Sequence, residues 1–304
     1  MTFTTWCQRV KAKVSRKSST NSSAQPTDMK KSEPEVPSGP GPGIHKIDYS
    51  TCFSLVDCID ERHESGNHPE NGFFSSKVEL PPDDRDAHKV CSTIEGVLSS
   101  KECNKIIERS EEARFQTALV NVGRRGEVHD PDTRNSDRCI VDDCDFANVI
   151  FERIEDFLPK IRTDRGGLHW ELVGLNERMR ILRYKDGHFF AKHYDGSYRR
   201  NRREHSFLSL MIYLNSGGGV DFEGGSTNFL PSTFSEGKDY HTEYVPKRGS
   251  VLLFDHVLLH EGAKLVSGTK YCIRTDVMYK RVTYQDLILI AAENERHSAK
   301  AVKK

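Results

Sequence analysis

The chain has 304 residues, with 45 Lys plus Arg against 45 Asp plus Glu, so its formal net charge at pH 7 is zero. This length allows one large domain, or two small ones, with tails. The balanced charge excludes any global electrostatic argument for a nucleic acid, a membrane or an acidic ligand. No stretch of the sequence approaches the roughly 18 apolar residues of a membrane span.

The N-terminal region, residues 1–45, is rich in Lys, Ser, Pro and Gly. Such a segment cannot bury enough apolar surface to offset the entropy of ordering it, so we predict a disordered tail. A solvated basic tail and a transit peptide remain the alternatives for its function. Because the segment has no apolar signal region, we expect a cytoplasmic or nuclear protein. Its eight cysteines, which form no CxxC pair, should then be free thiols.

The next two segments change in character. Residues 46–90 mix short apolar pieces with a polar run, and we interpret them as a partly ordered arm. Residues 91–166 are predicted to be mainly helical, with one amphipathic helix capped near Ser99. A second helix is predicted over residues 145–158, before Pro159. Its apolar stripe consists of Phe146, Val149, Ile150, Ile154 and Leu158.

From residue 167 onwards, short β-prone runs alternate with turn signals. The runs are ERMRILRY, SFLSLMIYLN, TEYVPKRGSVLLFD and KYCIRTDVMYKR. Several strands at this spacing are typical of a sandwich or barrel. Helices followed by strands indicate an α+β fold with its core at residues 167–282. Residues 283–304 are predicted to be a C-terminal helix and tail.

One pair of residues has metal-ligand spacing on a predicted strand. His193 and Asp195 are two positions apart, so both side chains point to one face and can reach one cation. A distant histidine would complete a 2-His-1-carboxylate triad, which leaves open positions on Fe(II) for O₂ and a bidentate cosubstrate. The H-x-[DE] pattern alone is weak. It recurs at His68, His169 and His241, which we interpret as surface polar residues.

The context of His193 distinguishes it from the other three. An apolar strand, a glycine bend and two phenylalanines precede it in RILRYKDGHFFAKHYDGSY. Further along, a glycine turn leads into the buried run VLLF, after which the chain delivers two histidines, His256 and His260. Either histidine has the chemistry of a third ligand.

The run from Tyr184 to Tyr279 resembles the prolyl 4-hydroxylase-like branch of the 2-oxoglutarate/Fe(II) dioxygenases. The resemblance covers about a third of the chain and holds in order and spacing. It implies a double-stranded β-helix (jelly-roll) core with supporting N-terminal helices. The residues that carry it are Tyr184, Gly187, Phe189, His193, Asp195, Tyr213, Leu214, Asn215, Gly224, Gly225, Ser226, Thr227, Asn228, Phe229, Gly249, Leu252, Phe254, His260, Gly262, Gly268 and Lys270.

The resemblance implies that His193, Asp195 and His260 ligate the iron. His256 is the rival third ligand, but the family spacing from the histidine to the downstream glycine and lysine favours His260. The carboxylate at Asp195 implies hydroxylation, since related halogenases have a small residue at this position.

The resemblance also implies a cation that binds the distal carboxylate of 2-oxoglutarate. Lys270 occupies the position used by the collagen-type enzymes. Arg274 lies four residues further along the same strand and offers a bidentate fork. Both residues are candidates. Tyr213 resembles the tyrosine that hydrogen-bonds this carboxylate, and Tyr184 is a second candidate. The alternative for Tyr213 is a core aromatic.

The activity implied is hydroxylation of a peptidyl proline or another protein side chain, with release of succinate and CO₂. Such an enzyme uses Fe(II), 2-oxoglutarate, O₂ and L-ascorbate, and its partner is a protein or peptide substrate. The alternatives are a small-molecule or nucleic-acid oxygenase of the same superfamily, and a catalytically inactive binding module on the same fold. The sequence itself does not indicate a nucleic acid or a membrane, and it leaves the oligomeric state open.

Two polar segments bear on substrate choice. Four arginines, at positions 199, 200, 202 and 203, crowd a loop near the predicted barrel mouth. They form either a surface for an acidic partner or a solvated charged turn. Residues 121–138 form either a mobile lid or a plain connector.

Overall fold

The computed structural model describes residues 53–60, 73–122, 126–232, 240–283 and 286. The chain divides into residues 1–50 and 51–304, and every described residue belongs to the second unit. The predicted N-terminal tail therefore lies outside the described residues, as does the predicted C-terminal helix apart from Thr283 and Asp286. No helix in the described ranges has the length and apolar composition that crossing a bilayer requires.

Two α-helices form where the sequence predicts them. Helix α1 covers Ser100–Glu112 and begins with a capping box, in which the Ser99 side chain accepts from the Glu102 N–H and the Glu102 carboxylate accepts from the Ser99 N–H. Helix α2 covers Cys144–Ile154, and Asp143 caps it by accepting from the Phe146 N–H. Two 3-10 turns lie at Val56–Cys58 and Glu155–Phe157.

The strands of the described residues are numbered in chain order. The first ten are β1 Phe74–Lys77, β2 Cys91–Glu95, β3 Gln116–Thr117, β4 Val120–Asn121, β5 Glu127–Val128, β6 Arg134–Asn135, β7 Asp137–Asp142, β8 Ile161–Thr163, β9 His169–Leu175 and β10 Arg178–Tyr184. The others are β11 Phe189–His193, β12 Arg199–Asn201, β13 Glu204–Tyr213, β14 Phe222–Gly224, β15 Thr227–Phe229, β16 Thr242–Tyr244, β17 Val251–Asp255, β18 His260–Gly262, β19 Leu265–Gly268 and β20 Lys270–Arg281.

Two sheets hold most of these strands. The larger one has the order β1-β2-β17-β13-β20-β10-β7-β3, with β12 beside β13, and β9 joining β8 to β20. The smaller one has the order β16-β15-β18-β11-β6. All the pairs in both sheets are antiparallel. This arrangement is the predicted jelly-roll core, and the α+β assignment is confirmed.

The two sheets face each other across one apolar cluster. Phe229 of β15 meets Phe254 of β17 with ring centroids 5.3 Å apart, and Tyr213, Leu182 and Cys272 of the larger sheet belong to the same cluster. A second cluster covers the other face of the larger sheet. It joins Ile106 of α1 and Phe146, Ile150 and Ile154 of α2 to Ile94, Ile181, Ile212, Val251 and Ile273. The alternation of side chains along each strand thus supplies both cores.

The prediction of a helical segment at residues 91–166 was incomplete. This segment also contains β2 and β7, which are integral strands of the larger sheet. Both strands are short, and β7 carries charged residues at each end, so their apolar content in the sequence is weak. Part of the arm is also packed: Leu55 is buried, and its N–H donates to Asp143 at 2.7 Å. Cys58, Cys91, Cys103 and Cys272 are buried free thiols, as predicted.

Candidate metal and cosubstrate site

The structure brings His193, Asp195 and His260 together. His193 ends β11, and its Cα partner across the antiparallel pair is His260, the first residue of β18. Asp195 follows two residues after His193, and its N–H donates to the His256 carbonyl at 3.0 Å. One ligand atom from each residue lies within 4.8 Å of the other two. The Asp195 carboxylate oxygens lie 3.6 Å from His193 Nε2 and 3.8 Å from His260 Nε2.

Backbone carbonyls fix the tautomer of both histidines. His193 Nδ1 lies 2.7 Å from the Ala191 carbonyl, and His260 Nδ1 lies 3.0 Å from the Leu258 carbonyl. A carbonyl only accepts, so each Nδ1 carries a hydrogen, and Nε2 is the nitrogen that offers a lone pair in the neutral form of each ring. Burial also lowers the pKa of His260 to about 4, which keeps this ring neutral at pH 7. Both Nε2 atoms are therefore suited to bind a metal ion.

Asp195 is held ionised by its surroundings. Burial acts to raise the pKa of this carboxyl, but the charge of Arg274 and the contacts with His193 and His260 hold it well below its usual range. Arg274 Nη2 lies 3.5 Å from Asp195 Oδ2. The donor set is thus two imidazoles and one carboxylate, which fits the ligand preference of a non-haem Fe(II) site.

His256, the alternative third ligand, lies outside this group. Its Nδ1 lies 2.9 Å from Ser209 Oγ, and its Nε2 lies 2.8 Å from Ser206 Oγ. Both ring nitrogens are thus hydrogen-bonded to serines. The geometry brings His260 to the triad instead, as the spacing in the sequence favoured.

Lys270, at the start of β20, is a buried cation beside the triad. Its side chain donates to the Gly225 carbonyl at 2.5 Å, and its Nζ lies 5.4 Å from the ring centroids of both Tyr184 and Tyr213. Among the described residues no carboxylate lies within ion-pair distance of Lys270. Position 225 requires glycine for two reasons. Its φ of 64° lies in the left-handed region, and a Cβ there would meet Leu265 Cδ1 at 2.7 Å.

The other predicted cosubstrate residues take different positions. Arg274 contacts two carboxylates, Asp195 at 3.5 Å and Asp276 at 3.1 Å. Tyr184 lines the cavity that holds the triad. Tyr213 is fully buried behind it, and its hydroxyl lies 2.8 Å from Oγ1 of Thr227, which does line the cavity.

A cavity of about 550 Å³ joins these groups. Its lining includes the triad, Lys270 and Arg274, together with residues that the sequence did not single out. Four of these are Arg134, Arg138, Arg180 and Asp276. They were missed because each is a common charged residue on a strand, and only the pairing of β6, β7, β10 and β20 brings them near the triad.

The two polar segments have different relations to this cavity. In the arginine-rich segment, Arg200 forms ion pairs with Glu177 and Glu204, whereas Arg199, Arg202 and Arg203 are exposed. The pairing of Arg200 supports the charged-turn interpretation for that residue. Residues 121–138 contribute Asn121, Glu127, Thr133, Arg134 and Arg138 to the cavity lining. The lid function of this segment stays a prediction.

Comparison with known families identifies the domain. Residues 179–275 match the family model of the 2OG-Fe(II) oxygenase superfamily. The chain carries a 2OG-Fe(II) oxygenase domain. The matched residues run from β10 into β20, so the oxygenase domain includes the triad, Lys270 and Arg274. The resemblance seen in the sequence is confirmed at this level, and the protein is an enzyme of the oxygenase class. No curated protein matches the chain.

Several solved structures resemble the oxygenase domain at low identity. A viral collagen prolyl hydroxylase from Paramecium Bursaria Chlorella virus-1, in complex with 2OG, is 20% identical, covers 62% of this chain and 96% of its own, with a TM-score of 0.40. A Pseudomonas putida prolyl-4-hydroxylase is 15% identical over 66% of this chain and 97% of its own, with a TM-score of 0.43. A Trichoplax adhaerens prolyl hydroxylase, in complex with a hypoxia inducible factor peptide fragment, is 16% identical over 68% of this chain and 84% of its own, with a TM-score of 0.44. These likenesses are too distant to carry an argument about substrate.

Proposed function

We propose that this chain is an Fe(II)- and 2-oxoglutarate-dependent dioxygenase that hydroxylates a peptidyl proline or another protein side chain. The observation that carries the proposal is the approach of one ligand atom each from His193, Asp195 and His260 to within 4.8 Å, in a cavity that also holds Lys270. A 2-His-1-carboxylate set occupies one face of an Fe(II) ion and leaves the other open. Bound there, Fe(II) and 2-oxoglutarate supply the oxidising chemistry that puts one atom of O₂ into a substrate C–H bond and one into succinate, with release of CO₂.

Lys270 is our choice for the residue that binds the distal carboxylate of 2-oxoglutarate. Its ammonium is buried, 3% exposed overall, and has a carbonyl but no carboxylate as partner among the described residues. A buried charge without a counter-ion is costly, so its presence points to an anionic ligand. Arg274 already contacts Asp195 and Asp276, so the same argument does not apply to it. Tyr184 lines the cavity within 5.4 Å of Lys270 Nζ and is placed to contact the same carboxylate.

The chain's own residues also prepare the site before any reaction. The Ala191 and Leu258 carbonyls orient the two imidazoles. Burial acts to raise the pKa of Asp195, but Arg274 and the two histidines hold this pKa low, so the carboxylate is ionised and can bind a cation. Phe190 stacks on His193 with centroids 3.6 Å apart and an interplanar angle of 16°, so it covers one side of the ring from water. This preorganisation fixes the geometry of the metal ligands.

The substrate and the accessory reductant are the finer parts of the proposal. The sequence resemblance to the prolyl 4-hydroxylase-like branch supports a peptide substrate, and it supports L-ascorbate as the reductant that restores Fe(II). We also propose a cytoplasmic or nuclear location. The triad, with a carboxylate at Asp195, argues against an inactive binding module.

The test is succinate formation by the full chain. Purified protein is supplied with Fe(II), 2-oxoglutarate, O₂ and ascorbate, with and without a set of proline-containing peptides, and hydroxylated peptide is read by mass spectrometry. We expect succinate from the wild-type chain and none above background from His193→Ala or Asp195→Ala. No succinate from the wild-type chain under any condition would refute the enzyme, and activity in the variants would refute the triad.

A further inference from the structure

Two guanidinium groups oppose each other in the cavity that holds the triad. Arg180 of β10 and Arg274 of β20 are direct Cα partners across the antiparallel pair, and both side chains line the cavity. Like charges directly opposite each other destabilise a sheet. One carboxylate lies between them: Asp276 is 3.6 Å from Arg180 Nη1 and 3.1 Å from Arg274 Nη2. Arg180 Nη1 and Arg274 Nε are buried and have no hydrogen-bond partner in the described part of the chain.

A third guanidinium comes from the opposite sheet. Arg134 of β6 lies over the Phe190 ring, 4.6 Å from its centroid, and its Nε donates to Ser136 Oγ at 3.1 Å. No carboxylate among the described residues lies within ion-pair distance of it. Burial lowers the pKa of Arg134, and the nearby Arg138 and Arg274 act in the same direction. An arginine nevertheless stays charged at neutral pH, so this cation lacks a counter-ion.

The other charged groups of the cavity do not pair with these arginines. Arg138 forms a two-point ion pair with Glu127. Glu261 accepts from the Asn228 amide at 3.0 Å and keeps its negative charge, but none of the three arginines lies within ion-pair distance of it. In the proposed function the charges of Fe(II), Asp195, 2-oxoglutarate and Lys270 cancel. Asp276 then pairs with Arg180 and Arg274, while Arg134 has no carboxylate within ion-pair distance among the described residues. With Glu261 counted, these groups leave the loaded cavity with a net positive charge.

We propose that the substrate carries a carboxylate, which Arg134 and Arg180 bind inside the cavity beside the triad. The inference rests on the proposed function and names the chemical class of its substrate. Arginine is suited to this role because its planar fork donates two parallel hydrogen bonds to a carboxylate. The repulsion between Arg180 and Arg274 in the free protein lowers its stability, and a function for these charges explains why both are present. The carboxylate belongs either to an acidic residue next to the reacting residue of a peptide, as the proposed function requires, or to a free amino acid, which would replace the protein side chain of that function.

The experiment measures binding without turnover. The full chain, kept anaerobic and loaded with Mn(II) and saturating 2-oxoglutarate, is titrated by calorimetry with two matched probe pairs. The first pair is a blocked Glu-Pro-Glu peptide and its Gln-Pro-Gln counterpart, and the second is L-proline and L-prolinamide. We expect the carboxylate member of one pair to bind at least about tenfold more tightly, since hydrogen bonds to charged groups supply that much. The pair that discriminates identifies the source of the carboxylate.

The variants assign this preference to the arginines. Arg180→Met and Arg134→Met should each reduce the preference to within about twofold, because each removes one charged fork, and should leave the affinity for 2-oxoglutarate unchanged. The matched control is Arg178→Met, an arginine on the same strand whose two hydrogen bonds go to Asp142 at 2.8 Å, outside the cavity lining. It should keep the full preference.

The outcomes separate this inference from the proposed function. If neither probe pair discriminates, or if the preference survives in both variants, the inference is wrong. It is also wrong if the variants weaken 2-oxoglutarate binding instead, because the arginines would then serve the cosubstrate. If the wild-type chain fails to bind 2-oxoglutarate at all, the proposed function itself fails.

A thermal melt of the metal-free chain provides a second readout that needs no ligand. Arg180→Met should melt at or above the wild-type temperature, because the substitution relieves the repulsion between Arg180 and Arg274. A melting temperature several degrees lower would mean that the contact of Arg180 with Asp276 is structural, and it would overturn the inference.

Discussion

Ser209 donates a hydrogen bond of 2.5 Å from its hydroxyl to Oδ2 of Asp195. The direction of this bond follows from the carboxylate, which accepts only because its pKa lies well below its usual range. The Ser209 oxygen in turn accepts from His256 Nδ1 at 2.9 Å. Ser206 completes the chain by donating to His256 Nε2 at 2.8 Å, while it accepts from the Tyr198 N–H. A chain of hydrogen bonds from Ser206 through His256 to Ser209 thus orients Asp195.

Replacing Ser209 by alanine should weaken metal binding. The loss of this hydrogen bond frees the carboxylate to rotate, and such supporting contacts typically contribute 10-fold or more to metal affinity. We expect Ser209→Ala to raise the dissociation constant for Fe(II) or Mn(II) by about 10-fold, as measured by calorimetry. Ser206→Ala is the control, because that serine contacts His256 and not Asp195, and its effect should be several times smaller. Equal effects of the two variants would refute the direct role of Ser209.

The two candidate cations should differ in their effect on 2-oxoglutarate. Lys270→Met removes a buried ammonium with no carboxylate partner among the described residues, so the cosubstrate should lose its counter-ion. Removing one member of a buried charge pair costs enough to weaken 2-oxoglutarate binding by about 30-fold or more. Arg274→Met should weaken it less, because Arg274 is engaged with Asp195 and Asp276. Equal, small effects in a titration of the Mn(II)-loaded chain would show that neither residue binds the carboxylate.

The stability of the metal-free chain should depend on pH through His260. Burial lowers the pKa of this histidine to about 4 in the folded chain, against about 6.5 when it is unfolded. The unfolded chain therefore binds more protons between these two values, and the folded state loses stability as the pH falls from about 6.5 through about 4. From pH 7 to pH 5 the loss should be about 2 kcal/mol. Urea unfolding of the metal-free chain at both values measures it. His260→Gln should show a smaller loss, and an unchanged pH dependence in this variant would contradict the assignment.

A buried ion pair holds α1 to α2. Glu102 is fully buried, and its carboxylate accepts from Arg153 at 2.9 Å as well as from the Ser99 and Asp60 N–H groups. Glu102→Ala leaves the Arg153 charge buried without its partner, so we expect it to lower the free energy of unfolding by about 3 to 5 kcal/mol. The control is Asp142→Ala, which breaks a more exposed pair with Arg178 and should cost about 1 kcal/mol or less. Equal losses in the two variants would contradict this account of the buried pair.

The parts of the fold with a strong local signal could be predicted from the sequence. The capping box at Ser99 and Glu102 and the apolar stripe from Phe146 to Ile154 gave both helices, and the long apolar runs gave β10, β13, β17 and β20. The short strands β2 and β7 were not predicted. Their place in the larger sheet depends on pairing with β17 and β10, and such long-range pairing leaves little trace in a short run of residues.

Some residues of the candidate site could also be predicted from the sequence, and others could not. The positions of His193, Asp195 and His260 follow from motifs whose order and spacing can be read along the chain. The sequence left Lys270 and Arg274 equivalent, because residues four apart on one strand share a face. Their partners differ. Lys270 contacts Gly225 on the turn after β14, whereas Arg274 contacts Asp195, which follows β11, and Asp276, two residues further along β20. Ser209, Arg134 and Arg180 had no motif at all, and His256 was singled out only as a rival metal ligand, since their roles depend on which residues lie across the sheets.

The most direct test of the central claim is an optical titration of the full chain under anaerobic conditions. Binding of 2-oxoglutarate to Fe(II) at this site would give a visible charge-transfer absorption, and no substrate is needed to see it. We predict that adding 2-oxoglutarate to the Fe(II)-loaded wild-type chain produces this absorption, and that His193→Ala and Asp195→Ala abolish it while Arg178→Met does not. Its absence from the wild-type chain, or its persistence in both triad variants, would contradict the claim that His193, Asp195 and His260 form an Fe(II) and 2-oxoglutarate site.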